Sequence, residues 1–252
     1  MPALFVSDLD GTLIQTDERL SPFARDGLAR LLSAGLPFTV ASARSVASMR
    51  PILAGLPLAL PVIEFNGTMI TWLDHDEREF CHVLNPTAAR AAVEAGHRAG
   101  TPPFVSTGAA NAADDGLYVP RDRNEGMEQY LASRTAAGDH RLWPGAPLEE
   151  GLDGCAICLT FIGRRADLEP LARLVTERHP GAFSTSFFEN AYAPGWWWLT
   201  LHPPLATKAE AVAVGNAVPE LRDQADEVIG PVADDAVVRW LASRWPCTSS
   251  SA

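Results

Sequence analysis

Leu4-Phe-Val-Ser-Asp-Leu-Asp-Gly-Thr-Leu-Ile14 decides the reading of this 252-residue chain. Leu4, Phe5 and Val6 make an apolar run long enough for a buried strand, and the polar residues from Ser7 to Thr12 break it abruptly. Two carboxylates, Asp8 and Asp10, therefore stand just past the C-terminal end of a strand, where open α/β sheets place their ligands. Gly11 permits a tight backbone turn beside them. Paired carboxylate oxygens at this spacing suit a hard cation such as Mg²⁺, which makes Asp8 and Asp10 the candidate metal ligands. A bare D-x-D-G also describes an ordinary strand end followed by an Asp-Gly turn.

The next segments build outward from that strand. Ser21-Pro22 opens a helical pattern with Phe23, Leu28, Leu31 and Leu32 on one side. Ser21 serves as its N-cap and Gly35 as its stop. Leu36 to Ala41 reads as a second strand, ending in Ser42-Ala43-Arg44. Strand, helix and strand without a hairpin turn predict a parallel βαβ unit, which brings Ser42 to the same sheet edge as Asp8. Val62, Ile63 and Phe65 form a third strand, and Asn66-Gly67 is a strong hairpin signal.

From about Asn85 the texture changes. Pro86 to Ala99, Asn124 to Ala137 and Arg164 to His179 carry helical patterns, while Leu152 to Gly163 and Phe183 to Leu201 hold strand-like runs. Alternating helices and strands of this kind predict an insert with its own small core. The fold class is thus α/β: a Rossmann-like parallel-sheet core from residues 1–84 and 201–252, with an α/β cap domain over 85–200. Cys155-Ala-Ile-Cys158 matches C-x-x-C, but in a strand residues three apart point to opposite faces, so packing is the expected role. By the same alternation Trp196 and Trp198 share a face and Trp197 takes the other, again for packing.

Hydrophobic residues make up 47% of the chain and charged residues 20%, a soluble globular balance. The net charge of −11 argues against nucleic acid or an anionic membrane as partner. It leaves room for a small phosphorylated metabolite, which needs only local cations. No apolar run approaches the ~20 residues of a membrane span. No basic segment precedes an apolar one at the N-terminus, so a cytoplasmic location is expected.

The full D-x-D-G-T after an N-terminal apolar strand resembles the first motif of the haloacid dehalogenase superfamily of phosphohydrolases. Ser42 falls where that family has its second motif, and Ala206-Thr-Lys208-Ala-Glu-Ala211 resembles the third. Asn124-Glu-Gly-Met-Glu-Gln-Tyr-Leu-Ala-Ser-Arg134 is similar to cap sequence of the Cof-like branch. The resemblance implies that Asp8 attacks phosphorus and becomes an aspartyl phosphate, with Asp10 as general acid and base. It further implies that Ser42 and Lys208 bind the phosphate and that Mg²⁺ is the cofactor. Arg44 and Asn66 are candidate substrate contacts, and Arg121, Arg123, Arg134 and Arg141 are cap cations that could meet a phosphate ester. A carboxylate nucleophile splits one hard hydrolysis into two steps, and a metal offsets the repulsion between carboxylate and phosphate. A monomer or homodimer is expected.

The pattern then breaks. The family carries an acidic fourth motif, Gly-Asp-x-x-Asn-Asp, at the end of a strand that follows the motif-three helix. Here only six residues separate Lys208 from Gly215, too few for that helix and strand. Asp223, Asp226, Asp234 and Asp235 offer no good substitute; Asp234 reads as the N-cap of a helix over Val237 to Trp245. With the inner strand gone, Ala211 to Val214 is expected to pair with Phe5 to Ser7, and the helix after Lys208 to shrink or vanish. Three functional readings follow. One is a Mg²⁺-dependent phosphatase for a small phosphate monoester, with impaired metal binding. The others are a catalytically inactive binding, regulatory or truncated relative, and a mutase-like phosphoryl transferase.

Overall fold

The computed structural model describes residues 4–15, 17–153, 155–204, 206, 213–214, 228–229 and 232–245. The chain divides into two compact units, Met1–Glu64 with Lys208–Ala252, and Phe65–Thr207. The second is thus inserted in sequence between the two parts of the first. Both are mixtures of helices and strands, and the α/β class is as the sequence predicts.

The first unit opens with β1 (Phe5–Ser7), α1 (Pro22–Ser33), β2 (Phe38–Val40), α2 (Val46–Leu53) and β3 (Val62–Glu64). β1 and β2 run parallel with Phe5 opposite Phe38 and Ser7 opposite Val40. β3 joins on the far side of β2 through a parallel bridge between Ala41 and Ile63, and the Ser42 N–H donates to Ile63 O at 2.9 Å. All three strands therefore end on one edge. Ser21 Oγ accepts from the Ala24 N–H at 2.9 Å, and Pro22 occupies the first turn, so α1 begins where its sequence says. Its buried face is Ala24, Leu28, Leu31 and Leu32. Phe23, expected on that face, is instead 41% exposed and lies under the Arg239 guanidinium, 4.3 Å from the ring centre.

The second unit contains β4 (Met69–Thr71), β5 (Arg78–Cys81), α3 (Pro86–Arg98), β6 (Phe104–Thr107), β7 (Gly116–Val119), α4 (Glu125–Ala136), β8 (Leu142–Pro144), β9 (Ala156–Gly163), α5 (Arg165–Arg178), β10 (Ser184–Glu189) and β11 (Trp197–His202). Six strands form one sheet in the order β10-β11-β9-β6-β7-β8, antiparallel except for the β7–β8 pair. Leu159, Phe161, Leu199 and Leu201 on one face pack with the apolar sides of α3 and α5. Phe104, Leu117, Val119 and Ile162 on the other face meet Met127 of α4. Trp196 and Trp198 join this second cluster and Trp197 the first, the alternation expected from the triple-tryptophan run.

Residues 65–84, expected with the core, lie with the second unit in this division, and the bonding explains why. The Leu84 N–H donates to Ala156 O at 2.7 Å, and the Ala112 N–H donates to Asp76 O at 2.9 Å. Arg78 of β5 makes a two-pronged ion pair with Asp115, with both contacts at 2.9 Å. Residues 201–207 follow likewise, because β11 runs on to His202.

The chain returns to the first unit with β12 (Ala213–Val214), β13 (Val228–Ile229) and α6 (Ala236–Arg244). Among the described residues Ala213 and Val214 pair in parallel with Val228 and Ile229, where the sequence led us to expect β1. Ala211, Val212 and the turn or helix after Lys208 lie outside the described residues. α6 packs on α1 so closely that a Cβ on Gly27 would stand 2.5 Å from Val238 Cγ1. The cap position of α6 is Asp235, one residue later than expected. Asp235 is left-handed at φ 53° and makes no side-chain cap bond. Its Oδ1 accepts instead from Ser21 Oγ at 2.5 Å, so the capping residue of α1 is itself held by the residue that precedes α6.

Candidate active site

Chain direction brings the chemistry together. Because β1 and β2 are parallel and in register at Ser7 and Val40, the residues that follow them leave the same sheet edge. Past β1 the backbone closes at once into a tight loop: Thr12, Leu13 and Ile14 N–H groups all donate to Leu9 O at 2.9–3.1 Å. Gly11 makes that loop possible with φ +70°. Leu9, Leu13 and Ile14 are buried beneath it, which leaves Asp8 and Asp10 half-buried on the rim. Asp8 Oδ1 accepts from the Leu9 N–H at 2.7 Å, so the turn fixes the carboxylate.

Past β2, Ser42 is fully buried and its Oγ accepts from the Arg44 N–H at 3.1 Å. Arg44 then reaches back across the edge. Its Nε and Nη2 grip Asp10, at 3.0 Å to Oδ2 and 2.8 Å to Oδ1, and its Nη1 donates to Glu18 Oε2 at 2.8 Å. Burial alone would lower the pKa of Arg44. The hydrogen bonds to Asp10 and Glu18 outweigh that and raise it above the usual arginine value. At the end of β3 the buried Glu64 carboxylate accepts from the Val46 N–H at 2.5 Å, where Ser45 Oγ also accepts from the Ser48 N–H. Glu64 and Ser45 together hold the start of α2, as acidic and hydroxyl groups at a helix N-terminus do.

The structure thus gathers Asp8, Asp10, Ser42 and Arg44. Lys208 lies outside the described residues. Asn66 belongs to the second unit, in a left-handed turn with φ 58°, and its Nδ2 lies 3.3 Å from His202 Nε2. Glu18 and Glu64 were not singled out from sequence. Glu64 had a signal: it is the lone carboxylate in the apolar stretch Pro61 to Phe65. Glu18 had none, being one acid in a polar loop. Of the four cap arginines singled out from sequence, three have local partners: Arg141 with Asp139, Arg123 with Glu128, and Arg134 over the Tyr130 ring.

His202 and Cys158 are buried in the second unit, with Cys158 Sγ 3.8 Å from His202 Nε2. Burial pushes the His202 pKa down to about 4 and the Cys158 thiol up to about 12, so near neutrality both are uncharged. Cys155 turns its sulfur elsewhere, towards Gly151 O at 3.9 Å. The two cysteines of the C-x-x-C therefore have separate surroundings.

As a test for Mg²⁺, the donor set is two hard carboxylates on one loop. That fits a cation which keeps several waters and takes one or two protein carboxylates. Asp10 shares its oxygens with Arg44, and Asp8 Oδ1 with the Leu9 N–H. Among the described residues, no group of three or more His, Cys, Asp or Glu side chains is placed to hold a metal.

A family profile for haloacid dehalogenase-like hydrolase matches residues 5–160. The chain belongs to that family. A haloacid dehalogenase-like hydrolase from Bacteroides thetaiotaomicron has a similar structure, with a TM-score of 0.73 at 17% identity over 96% of this chain and 98% of that one. A Thermotoga maritima protein gives a TM-score of 0.71 at 20% identity, covering 96% and 97%. A sugar phosphatase of haloacid dehalogenase subclass IIB gives 0.70 at 15% identity, covering 96% and 98%. At these identities the likeness speaks for the fold. No described helix is long and apolar enough to cross a membrane.

Proposed function

We propose that the protein is a Mg²⁺-dependent phosphatase acting on a small phosphate monoester. The observation that carries this reading is the arrangement on one sheet edge of Asp8, Asp10 and Ser42, with Arg44 gripping Asp10. Asp8 attacks phosphorus and displaces the ester oxygen, and Asp10 supplies the proton that the leaving group needs. Water then attacks the aspartyl phosphate while Asp10 takes up its proton, which regenerates Asp8 and releases phosphate. Ser42 and Lys208 bind the phosphoryl oxygens. Mg²⁺ held by Asp8 and Asp10 would lower the repulsion between the nucleophile and the phosphate. Without a fourth-motif acid, activity is expected to need more Mg²⁺ than in family members that carry one.

A second reading, an inactive binding relative, is favoured by the six-residue spacing from Lys208 to Gly215. Turnover of a phosphate-ester panel, measured with added Mg²⁺ and with EDTA, decides between the two. Metal-dependent release of phosphate that Asp8→Asn abolishes supports the phosphatase. No turnover of any ester at saturating Mg²⁺ leaves the binding relative.

A further inference from the structure

We propose that Glu18 and Arg44 are positioning residues for the acid–base step: Arg44 aims the Asp10 carboxylate, and Glu18 holds Arg44 in place. This rests on the phosphatase reading above and assigns two residues to its proton transfers.

The geometry is directional. A guanidinium is a planar fork, and here one side of the fork, Nε and Nη2, faces Asp10, while Nη1 faces Glu18. Two anchors fix where the fork stands. The Arg44 N–H is tied to Ser42 Oγ, and the next residue, Ser45, caps α2. The base of the side chain is therefore locked to the ends of β2 and α2. Glu18 sits on the turn between Gln15 and Arg19 in a left-handed conformation (φ 60°), which non-glycine residues seldom adopt. The Glu18 N–H donates to Gln15 O at 3.1 Å, and the Gln15 N–H to Arg19 O at 3.4 Å. That turn carries the Glu18 carboxylate to Arg44.

Exposure fits the assignment. The Arg44 side chain is 13% exposed, whereas Asp10 is 35% exposed. Asp10 thus keeps a solvent-facing side for a leaving group, and Arg44 lies behind it.

The test uses the full chain and two esters: an alkyl phosphate, whose alkoxide must be protonated to leave, and p-nitrophenyl phosphate, whose leaving group needs little help. Losing an aimed general acid harms the first far more than the second, because acid catalysis grows with leaving-group basicity. Arg44→Met is expected to lower kcat/KM, which reports the steps up to departure of the leaving group, by roughly 10²-fold on the alkyl ester and by less than about 3-fold on p-nitrophenyl phosphate. Arg44→Lys keeps the charge but not the fork, so its loss should fall between. Glu18→Gln should show the same ester bias at roughly 3–10-fold. Equal losses in kcat/KM on both esters would mean a general structural role and overturn the proposal. Calorimetric titration with inorganic phosphate separates failure of this proposal from failure of the phosphatase reading. Phosphate binding as tight in Arg44→Met as in the wild type keeps Arg44 on the acids. Binding more than about tenfold weaker puts Arg44 on the phosphate and overturns the proposal, whether or not the esters turn over.

Discussion

Among the described residues three Arg–Asp pairs are forked, and besides Arg141–Asp139 the other two, Arg78–Asp115 and Arg44–Asp10, differ in what surrounds them. In the second unit Arg78 and Asp115 are sealed, with side chains 2% and 1% exposed. Arg78 also bonds Thr71 Oγ1 and Ala109 O, and Asp115 Oδ1 accepts from the Ala109 N–H. In the first unit Arg44 serves two acids at once, and Asp10 and Glu18 are 35% and 41% exposed. One pair is closed to exchange: its partners are backbone and neighbouring side chains fixed by the β4–β5 hairpin and the β6–β7 connection. The other carries a surplus negative charge on a solvent-facing rim, where a cation can compete. The same two kinds of side chain are therefore sealed in the fold in one place and held on a solvent-facing rim in the other.

Loss of the carboxylates on the rim should be the largest effect. Asp8→Asn is expected to abolish hydrolysis, because an amide is a poor nucleophile at phosphorus, and Asp10→Asn to slow it by roughly 10²–10⁴. Steady-state assays on purified variants check both, and undiminished turnover in Asp8→Asn removes the nucleophile from that position.

The sealed pair should answer in stability. Asp115→Asn keeps the shape but leaves the Arg78 charge buried without its counter-ion, at a cost of about 3–5 kcal/mol. Urea unfolding should show it as a lower midpoint. A loss under about 1 kcal/mol would mean that water reaches Arg78 and that the two pairs are alike after all.

How much of this contrast the sequence carried depended on the range of the interactions. The strand–turn at Leu4 to Ile14, the Ser21 cap and the alternation of the three tryptophans are local patterns, and the structure has each of them. Ser42 could be placed beside Asp8 because a parallel βαβ unit has only one way to run. Glu18 meeting Arg44 across 26 positions, and Asp115 meeting Arg78 across 37, leave no periodic trace. At the start of α6, Asp234 belongs to the 3₁₀ turn Val232–Asp234 and Asp235 takes the cap position. Ser21, 214 positions away, claims the Asp235 carboxylate, and no local rule reports that. The bond from the hairpin's own Arg78 to Asp115 likewise ties residues 65–84 to the second unit without a sequence signal.

The second unit's sealed interior also makes an acid prediction. His202 has its pKa depressed from 6.5 to about 4 by burial. Between those values the unfolded chain binds a proton that the folded chain refuses. The stability from keeping His202 neutral is therefore fully present above about pH 6.5 and is lost as pH falls towards 4, by roughly 3 kcal/mol in all. His202→Gln should flatten that part of the stability–pH curve. A wild-type curve as flat as the variant's would place His202 in contact with solvent.

The smallest effect completes the comparison. Arg44→Met should change folding stability by less than about 1 kcal/mol, although it removes contacts to two acids. The acids are more than a third exposed, so solvent and salt already screen most of their attraction to Arg44, and both can turn to water when it is gone. Removing the arginine also leaves Asp8, Asp10 and Glu18 as neighbouring negative charges, so the residual loss should be greatest at low ionic strength and shrink as salt is added. Urea unfolding of wild type and Arg44→Met at low and high salt reads this directly. A loss of several kcal/mol that salt does not change would show Arg44 to be a staple like Arg78, and the division between a sealed pair and a reactive one would fall.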